Sequence, residues 1–221
     1  SAAVGAHYDV SNDFYGLWLG PTMMYSSGMW AAGEGPDDLA TAHARKIDFF
    51  AQRVLPSGRG ARVLDVGCGW GGMLRRLAEA RAFDDGVGLT LSPAQHEFLV
   101  RAPVPAMTIR LEDWQDHVPS QPYDAIFSFG AFEHFAQDGT RGPQRIASYR
   151  RFFGTCYEWL SPGGRLGLET IAHDDAPDTR EALGRGPVGD FVLGLYPESL
   201  CPHLSEVVLG LEPYFELETL R

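Results

Sequence analysis

Short apolar runs alternate with stretches of helical periodicity, and this alternation sets the predicted architecture. Residues 62–66, 86–91, 106–111, 123–129 and 165–171 are apolar runs of strand length. Between them, apolar residues recur every three or four positions, as on the buried face of a helix. Strand–helix alternation is typical of a parallel sheet, so the pattern predicts an α/β fold with a mainly parallel central sheet.

Two segments lie outside this alternation. Residues 1–55 precede the first strand and are rich in aromatic side chains, and residues 172–214 precede a sixth apolar stretch at 215–221. Open α/β sheets bind ligands at the carboxyl ends of their strands, which both segments are placed to cover. We predict a single domain with an N-terminal helical, aromatic cap, a cofactor-binding core at 56–171, a substrate-side helical insertion and a sixth strand.

Composition and charge narrow the class of protein. The 221 residues are 44% hydrophobic, which is enough for a sizeable core. The formal net charge of -11 argues against a nucleic-acid surface, which needs clustered Lys and Arg. The three cysteines form no CxxC pair, which indicates a reducing compartment. No apolar run is long enough for a membrane span, so we expect a cytoplasmic protein.

A glycine-rich loop follows the first predicted strand. Val63 to Gly72 reads VLDVGCGWGG, and a helical pattern begins directly after it. Glycines allow the backbone to approach a ligand closely, and the next helix aims its N-terminus at that ligand. Gly67, Gly69 and Gly72 also fit the G-x-G-x-x-G pattern of nicotinamide oxidoreductases, which remain an alternative here.

Two positions distinguish the alternatives. Asp65 precedes the loop, where a carboxylate can meet the cationic end of an amino-acid-like ligand. A dinucleotide-binding fold needs an acidic residue about 20 residues further on, but Leu89 and Thr90 end the second strand. The loop therefore favours a methyl-donor cofactor, S-adenosylmethionine, on a Rossmann-like sheet.

The sequence then resembles a known family, the cyclopropane-fatty-acid synthases with the mycolic acid cyclopropane synthases. The matching stretches are HYDVSNDFYGLWLGPTMMYSSGMW, VLDVGCGWGG, GLTLSPAQ, SFGAFEHF and FFGTCYEWLSPGGRLGLETI. They run in family order from His7 to about Leu220, and parts of them are shared by coclaurine-type N-methyltransferases and terpene C-methyltransferases. The resemblance implies a class I methyltransferase fold, whose usual seven-stranded sheet would continue beyond Arg221.

The resemblance also implies which residues contact the cofactor. Tyr25 and Ser26 would lie over its methionine end, and Trp114 would flank its adenine. The Gln95 amide would bind the ribose hydroxyls in place of the missing carboxylate. The remaining expected contacts are Asp65, Gly67, Gly69, Thr90, Leu91 and Asp113.

An alkene acceptor makes further demands on the site. It becomes a carbocation on methylation, which must be stabilised and must then lose a proton. Aromatic faces stabilise cations, although core packing is the alternative for each aromatic side chain. The predicted acceptor-pocket residues are His7, Tyr15, Trp18, Ser27, Phe132, Phe135, Phe191 and Tyr196.

Glu133 is the predicted catalytic carboxylate. It follows the fourth strand among apolar neighbours, and burial of an unpaired carboxylate is costly. Either a salt bridge to an arginine or a catalytic role would account for it. We expect Glu133 to offset cationic charge and to direct or take a proton, with His134 as a second proton-handling group.

Glu169 departs from the family pattern. In the cyclopropane synthases, a bound bicarbonate is thought to be the base, held by this glutamate, a histidine on the fifth strand, a backbone group and a late tyrosine. Glu169 stands in the place of that histidine, and Ser27 replaces a family cysteine. A second carboxylate beside Glu133 would repel bicarbonate and raise one carboxyl pKa. This favours Glu169 or Glu133 as the base and disfavours both bicarbonate and a cyclopropane product.

The leading prediction is a C-methyltransferase that acts, without a metal ion, on an alkene-type carbon of a small or lipid-like acceptor. S-adenosylhomocysteine would be the second product, and natural-product or lipid modification the setting. Cyclopropanation of an unsaturated acyl chain, N-methylation of a small amine and a non-catalytic cofactor-binding subunit remain alternatives. The sequence identifies neither the acceptor nor the oligomeric state.

Overall fold

A computed structural model of the chain describes residues 11–31, 38–57, 60–136, 140, 142–172 and 200–221. These residues divide into two compact units. Unit 1 contains the described residues of Ser1–Phe129 together with Leu160–Leu168, and unit 2 contains those of Gly130–Trp159 and Glu169–Arg221. The predicted bounds of cap, core and insertion stay predictions.

A five-stranded sheet lies at the centre of unit 1. Its strands are β1 (Arg62–Val66), β2 (Asp85–Thr90), β3 (Met107–Leu111), β4 (Tyr123–Phe129) and β5 (Leu160–Glu169). Their order is β3-β2-β1-β4-β5, and β1 pairs in parallel with both β2 and β4. This order confirms the predicted parallel α/β fold, and it makes the carboxyl end of β1 a switch point of the kind that binds ligands.

Helices cover the central strands β1, β2 and β4, which are buried along nearly their whole length. Helix α1 spans Asn12–Leu19, α2 spans Leu39–Val54, α3 spans Gly72–Glu79 and α4 spans Pro93–Arg101. Apolar side chains of α2, α3, β1 and β4 form one buried cluster. Strands buried on both faces read as continuous apolar runs rather than as alternating ones.

Unit 2 is largely helical. A 3-10 helix spans Phe132–His134, α5 spans Pro143–Trp159 and α6 spans Leu204–Leu211. Helix α6 packs against α5, where a Cβ on Gly210 would lie 2.9 Å from the Cβ of Tyr149. A buried ion pair joins the same helices, with Arg145 Nη2 2.8 Å from Glu206 Oε1.

The predicted sixth strand at 215–221 is wrong. These residues have no regular secondary structure, and the side chains of Leu217 and Leu220 are 52% and 62% exposed. A strand needs a neighbour to bond its backbone groups, and no described strand pairs with this segment. The fifth strand is present, although it begins at Leu160 rather than at residue 165. None of the described helices has the length and apolar character that a membrane crossing requires.

Candidate active site

The glycine-rich loop leaves β1 at its carboxyl end. Gly67 and Gly69 have φ values of 79° and 56°, which side chains rarely adopt. The amides of Gly67 and Cys68 donate to Leu89 O at 3.0 and 2.8 Å, which fixes the loop against β2. No described atom lies within 4 Å of the place where a Gly69 Cβ would stand. The loop therefore presents an open backbone surface.

Asp65 is buried just before this loop, with 2% of its surface exposed. Burial raises the pKa of its carboxyl to about 7, because the charged form loses its hydration. Within the described part of the chain, it forms no ion pair. A cationic group on a ligand would supply this carboxyl with an ion-pair partner.

The carboxyl end of β2 holds a second group of predicted residues. The Thr90 hydroxyl donates to Gln95 Oε1 at 2.6 Å and accepts a hydrogen bond from Ser92 N at 3.1 Å. Ser92 caps the N-terminus of α4, since Gln95 N donates to Ser92 Oγ at 3.2 Å. The amide nitrogen of Gln95 is then oriented as a donor. Leu91, between these residues, is half-buried.

Asp113 and Trp114 follow β3 in a turn. Asp113 Oδ1 accepts a hydrogen bond from Gln115 N at 2.9 Å, and Trp114 is buried. Because β1, β2 and β3 are adjacent parallel strands, their carboxyl ends lie at one edge of the sheet. The loops that follow these three strands, which carry several of the predicted cofactor residues, therefore lie at the same edge of the sheet.

An aromatic cluster joins the N-terminal helix to the glycine-rich loop. Tyr15 lies 4.6 Å from Trp70 and 5.7 Å from Tyr25 between ring centroids, and Trp18 lies 5.1 Å from Tyr25. Tyr15 is buried, as the core-packing alternative requires, whereas Trp18 is 45% exposed. Trp70 was not among the predicted site residues, although it lies within VLDVGCGWGG.

In unit 2, the carboxylate of Glu133 is held through one oxygen. The Thr170 hydroxyl and the Ile171 amide donate to Glu133 Oε1 at 2.7 and 2.6 Å. Oε2 is buried and has no hydrogen-bond partner among the described residues. None of the described basic side chains pairs with Glu133, so the structure offers no salt bridge as the alternative explanation.

The surroundings of Glu133 shift the pKa of its carboxyl upward. Burial raises the pKa of its carboxyl, and the two hydrogen bonds from Ile171 and Thr170 oppose that rise. The negative charge of Glu169 raises the same pKa further. The two predicted carboxylates therefore lie within electrostatic reach of each other.

The neighbours of Glu133 form an aromatic core. Phe132 is fully buried and stacks on Tyr149, with ring centroids 4.5 Å apart. Phe135 packs against Phe152 at 4.6 Å, and His134 lies between the two phenylalanines in the 3-10 helix. The predicted pocket residues Phe132 and Phe135 thus contact other aromatic side chains.

Several residues beside Glu133 were not predicted. Thr170 directly follows Glu169, so the stretch GLETI already contained it. Cys201 is half-buried, and burial together with the charge of Glu133 raises its thiol pKa to about 11. The amide of Leu200, the residue before Cys201, donates to Glu133 O at 2.8 Å. These residues are far apart in the sequence, so the periodicity of the sequence could not predict the contact.

Three predicted pocket residues cannot be placed. His7, Phe191 and Tyr196 lie outside the described residues. Ser27 is exposed next to Ser26.

Comparison with known proteins identifies a family and relatives that are similar to this chain. A family model described as mycolic acid cyclopropane synthetase matches residues 1–219. Cyclopropane mycolic acid synthase 2 of Mycobacterium leprae (strain TN) is 37% identical over 221 residues, which cover 93% of this chain and 68% of the relative.

Solved structures give the same result. The cyclopropane synthase MmaA2 from Mycobacterium tuberculosis aligns with a TM-score of 0.80 and 28% identity, over 99% of this chain and 75% of that one. Mycolic acid cyclopropane synthase CmaA1 complexed with SAH and CTAB aligns with a TM-score of 0.74 and 30% identity, over 95% of this chain and 72% of that one.

Proposed function

This chain belongs to the mycolic acid cyclopropane synthetase family, and from that membership we propose that it methylates an alkene carbon of an acyl-chain acceptor. It is an S-adenosylmethionine-dependent methyltransferase with a Rossmann-like α/β fold. S-adenosylmethionine supplies an electrophilic methyl carbon when it is bound. The acyl nature of the acceptor rests on the family description and on the names of the relatives.

The residues of unit 1 fit this cofactor. Asp65 is a buried carboxylate without an ion pair among the described residues, and it would hold the ammonium group of the methionine end. The Gln95 amide, oriented by Thr90, would donate to the ribose hydroxyls. Tyr25 and Ser26 would lie over the methionine end.

One observation carries the proposed chemistry, namely the buried and unbonded Oε2 of Glu133. When an alkene carbon gains a methyl group, the neighbouring carbon becomes cationic, and a C–H next to it must then lose its proton. An acyl chain has no group that can take this proton. Glu133 can accept it on Oε2 while Oε1 stays bonded to Thr170 and Ile171. Its raised pKa makes this carboxylate a stronger base than an exposed glutamate.

Glu169 adds negative charge in the place of the family's histidine. Its charge raises the basicity of Glu133. The same negative charge would stabilise a cationic acceptor. Two neighbouring carboxylates repel an anion, so we propose that Glu133, and not bicarbonate, is the base. Cyclopropanation is the second candidate, and the family description favours it.

The position of proton loss separates the two candidates. We would incubate the protein with an unsaturated acyl substrate and with S-adenosylmethionine that carries a fully deuterated methyl group. Methylation removes a proton from the acceptor, so its product keeps three deuterons, whereas cyclopropanation removes one deuteron from the transferred methyl. A product with two deuterons would refute the methylation proposal and support the second candidate.

Variants at the two carboxylates identify the base. Glu133→Gln should lower turnover by about 100- to 10,000-fold, the usual contribution of a general base, with unchanged affinity for S-adenosylhomocysteine. Glu169→His should make the rate respond to added bicarbonate, because it restores the family's residue. Glu158→Gln, an exposed glutamate on α5, is the matched control and should have no effect. Full activity of Glu133→Gln would exclude this glutamate as the base.

A further inference from the structure

The chain contains a single lysine among 18 basic residues, and that lysine is buried. Lys46 lies on α2 with 1% of its surface exposed. Its Nζ donates to Ser26 Oγ at 2.5 Å and lies 5.2 Å from the centroid of the Phe129 ring. A buried ammonium is costly unless it is well bonded, so this position calls for a specific explanation.

Helix α2 holds the Ser26 segment at further points. His43 Nε2 lies 3.1 Å from Ser26 O, and His43 Nδ1 lies 2.9 Å from Thr22 Oγ1. Because a carbonyl only accepts, Nε2 carries the proton and Nδ1 accepts from the threonine. Met29 N also donates to Ala42 O at 3.0 Å. Both the backbone and the side chain of Ser26 are therefore fixed on α2.

The bond from Lys46 sets the direction of the Ser26 hydroxyl. Since Ser26 Oγ accepts from an ammonium, its own proton must point away from Lys46. A hydroxyl polarised by an adjacent cation donates more strongly to an anion. The methionine end of S-adenosylmethionine carries a carboxylate, the anion that this hydroxyl would meet.

We propose that Lys46 is a positioning residue for the cofactor, which acts through Ser26 to direct a polarised hydroxyl at the cofactor carboxylate. The inference rests on the proposed placement of Ser26 over the methionine end. An ammonium is a compact charge on a flexible stem, whereas a guanidinium is broad and planar. This difference explains why a chain that otherwise uses arginine has lysine at position 46.

Two ligands and four variants test the proposal by calorimetric titration. S-adenosylhomocysteine has the carboxylate, and methylthioadenosine lacks the whole amino-acid part. Lys46→Met should weaken S-adenosylhomocysteine binding by about 10- to 100-fold, as expected for a charge-assisted hydrogen bond, and leave methylthioadenosine binding unchanged. Ser26→Ala should do the same, and the double variant should lose little more than either single one. Lys46→Arg keeps the positive charge but should bind S-adenosylhomocysteine about as weakly as Lys46→Met.

The single lysine also permits a test on the unaltered protein. With carbon-13-labelled lysine, the side chain of Lys46 gives one Cε resonance, which should shift with S-adenosylhomocysteine but not with methylthioadenosine. An unchanged resonance, or equal losses for both ligands in Lys46→Met, would overturn the inference. Failure of the wild-type protein to bind S-adenosylhomocysteine at all would instead overturn the proposed cofactor site.

Discussion

At the scale of single residues, the fold buries two carboxyl groups that the sequence predicted for the site. Asp65 and Glu133 both have raised pKa values, and burial is the main cause in each case. Both were predictable from the sequence, because Asp65 lies within the apolar strand β1 and Glu133 closely follows the apolar strand β4. Thr170 and Cys201 beside Glu133, and Lys46 beside Ser26, were not predicted, because their contacts join distant parts of the chain and leave no periodic signal.

The raised pKa of Asp65 predicts a pH dependence of ligand binding. In the free protein, the contribution of this carboxyl to stability is complete below its usual pKa of 3.8 and is lost progressively as pH rises from there through about 7. An ammonium ligand prefers the ionised form, so affinity for S-adenosylhomocysteine should increase as pH rises through about 7. Calorimetry across this range measures it.

The matched variant for this test is Asp65→Asn, which stays neutral and should show weak, nearly pH-independent binding. Methylthioadenosine has no ammonium group, so its affinity for the wild-type protein should vary little. If both ligands gave the same pH profile, Asp65 would not be the group that meets the ammonium.

Tyr149 provides a stability prediction. Its hydroxyl is buried and has no hydrogen-bond partner among the described residues, and burial raises its pKa. Tyr149→Phe removes this group and keeps the ring stacked on Phe132, so stability should be unchanged or increase by about 1 kcal/mol. Urea unfolding measures the change, and a clear loss of stability would reveal a partner for the hydroxyl in solution.

At the scale of elements, continuous apolar runs identified the sheet well. β1 and β4 have the predicted bounds, because both are buried on two faces and end at glycine. The segment 215–221 also alternates apolar and polar residues, but alternation alone cannot supply a neighbouring strand. The N-terminal helices were predicted only as a cap, since aromatic richness does not define where a helix begins or ends.

Gly72, the first residue of α3, should be intolerant of even a methyl group. A Cβ there would lie 2.5 Å from the backbone oxygen of Thr22 and 2.5 Å from Met24 Cγ. We expect Gly72→Ala to destabilise the protein by about 1–3 kcal/mol and to weaken S-adenosylhomocysteine binding by moving the Tyr25 segment. Thermal unfolding and calorimetry would measure both effects.

Gly16 is the control for this substitution. It lies within α1, and no described atom stands within 4 Å of its Cβ position. Gly16→Ala should therefore stabilise the protein by about 0.5–1 kcal/mol through helix propensity. Equal effects of the two substitutions would show that the crowding at Gly72 is relieved in solution.

At the scale of the whole molecule, each unit is assembled from separate stretches of chain. In unit 2, α5 and α6 are joined by the buried pair of Arg145 and Glu206. Removal of one partner leaves a buried charge unpaired, so Arg145→Met should cost about 3–5 kcal/mol in urea unfolding. Replacement of both residues by apolar ones should recover much of this loss of stability. If the double variant lost as much stability as Arg145→Met, the unpaired buried charge would not be the cause.

The division between the units also separates the residues proposed for two different tasks. The chain passes from unit 1 to unit 2 between Phe129 and Gly130, and again between Leu168 and Glu169. Glu133 and Glu169 both lie within a few residues after these points, while the glycine-rich loop and Gln95 lie well before them. Every proposed cofactor contact is a residue of unit 1, so the residue at position 169 is not one of them. Substitutions after the two crossings can therefore alter what becomes of the acceptor while every residue proposed to hold the methyl donor is kept.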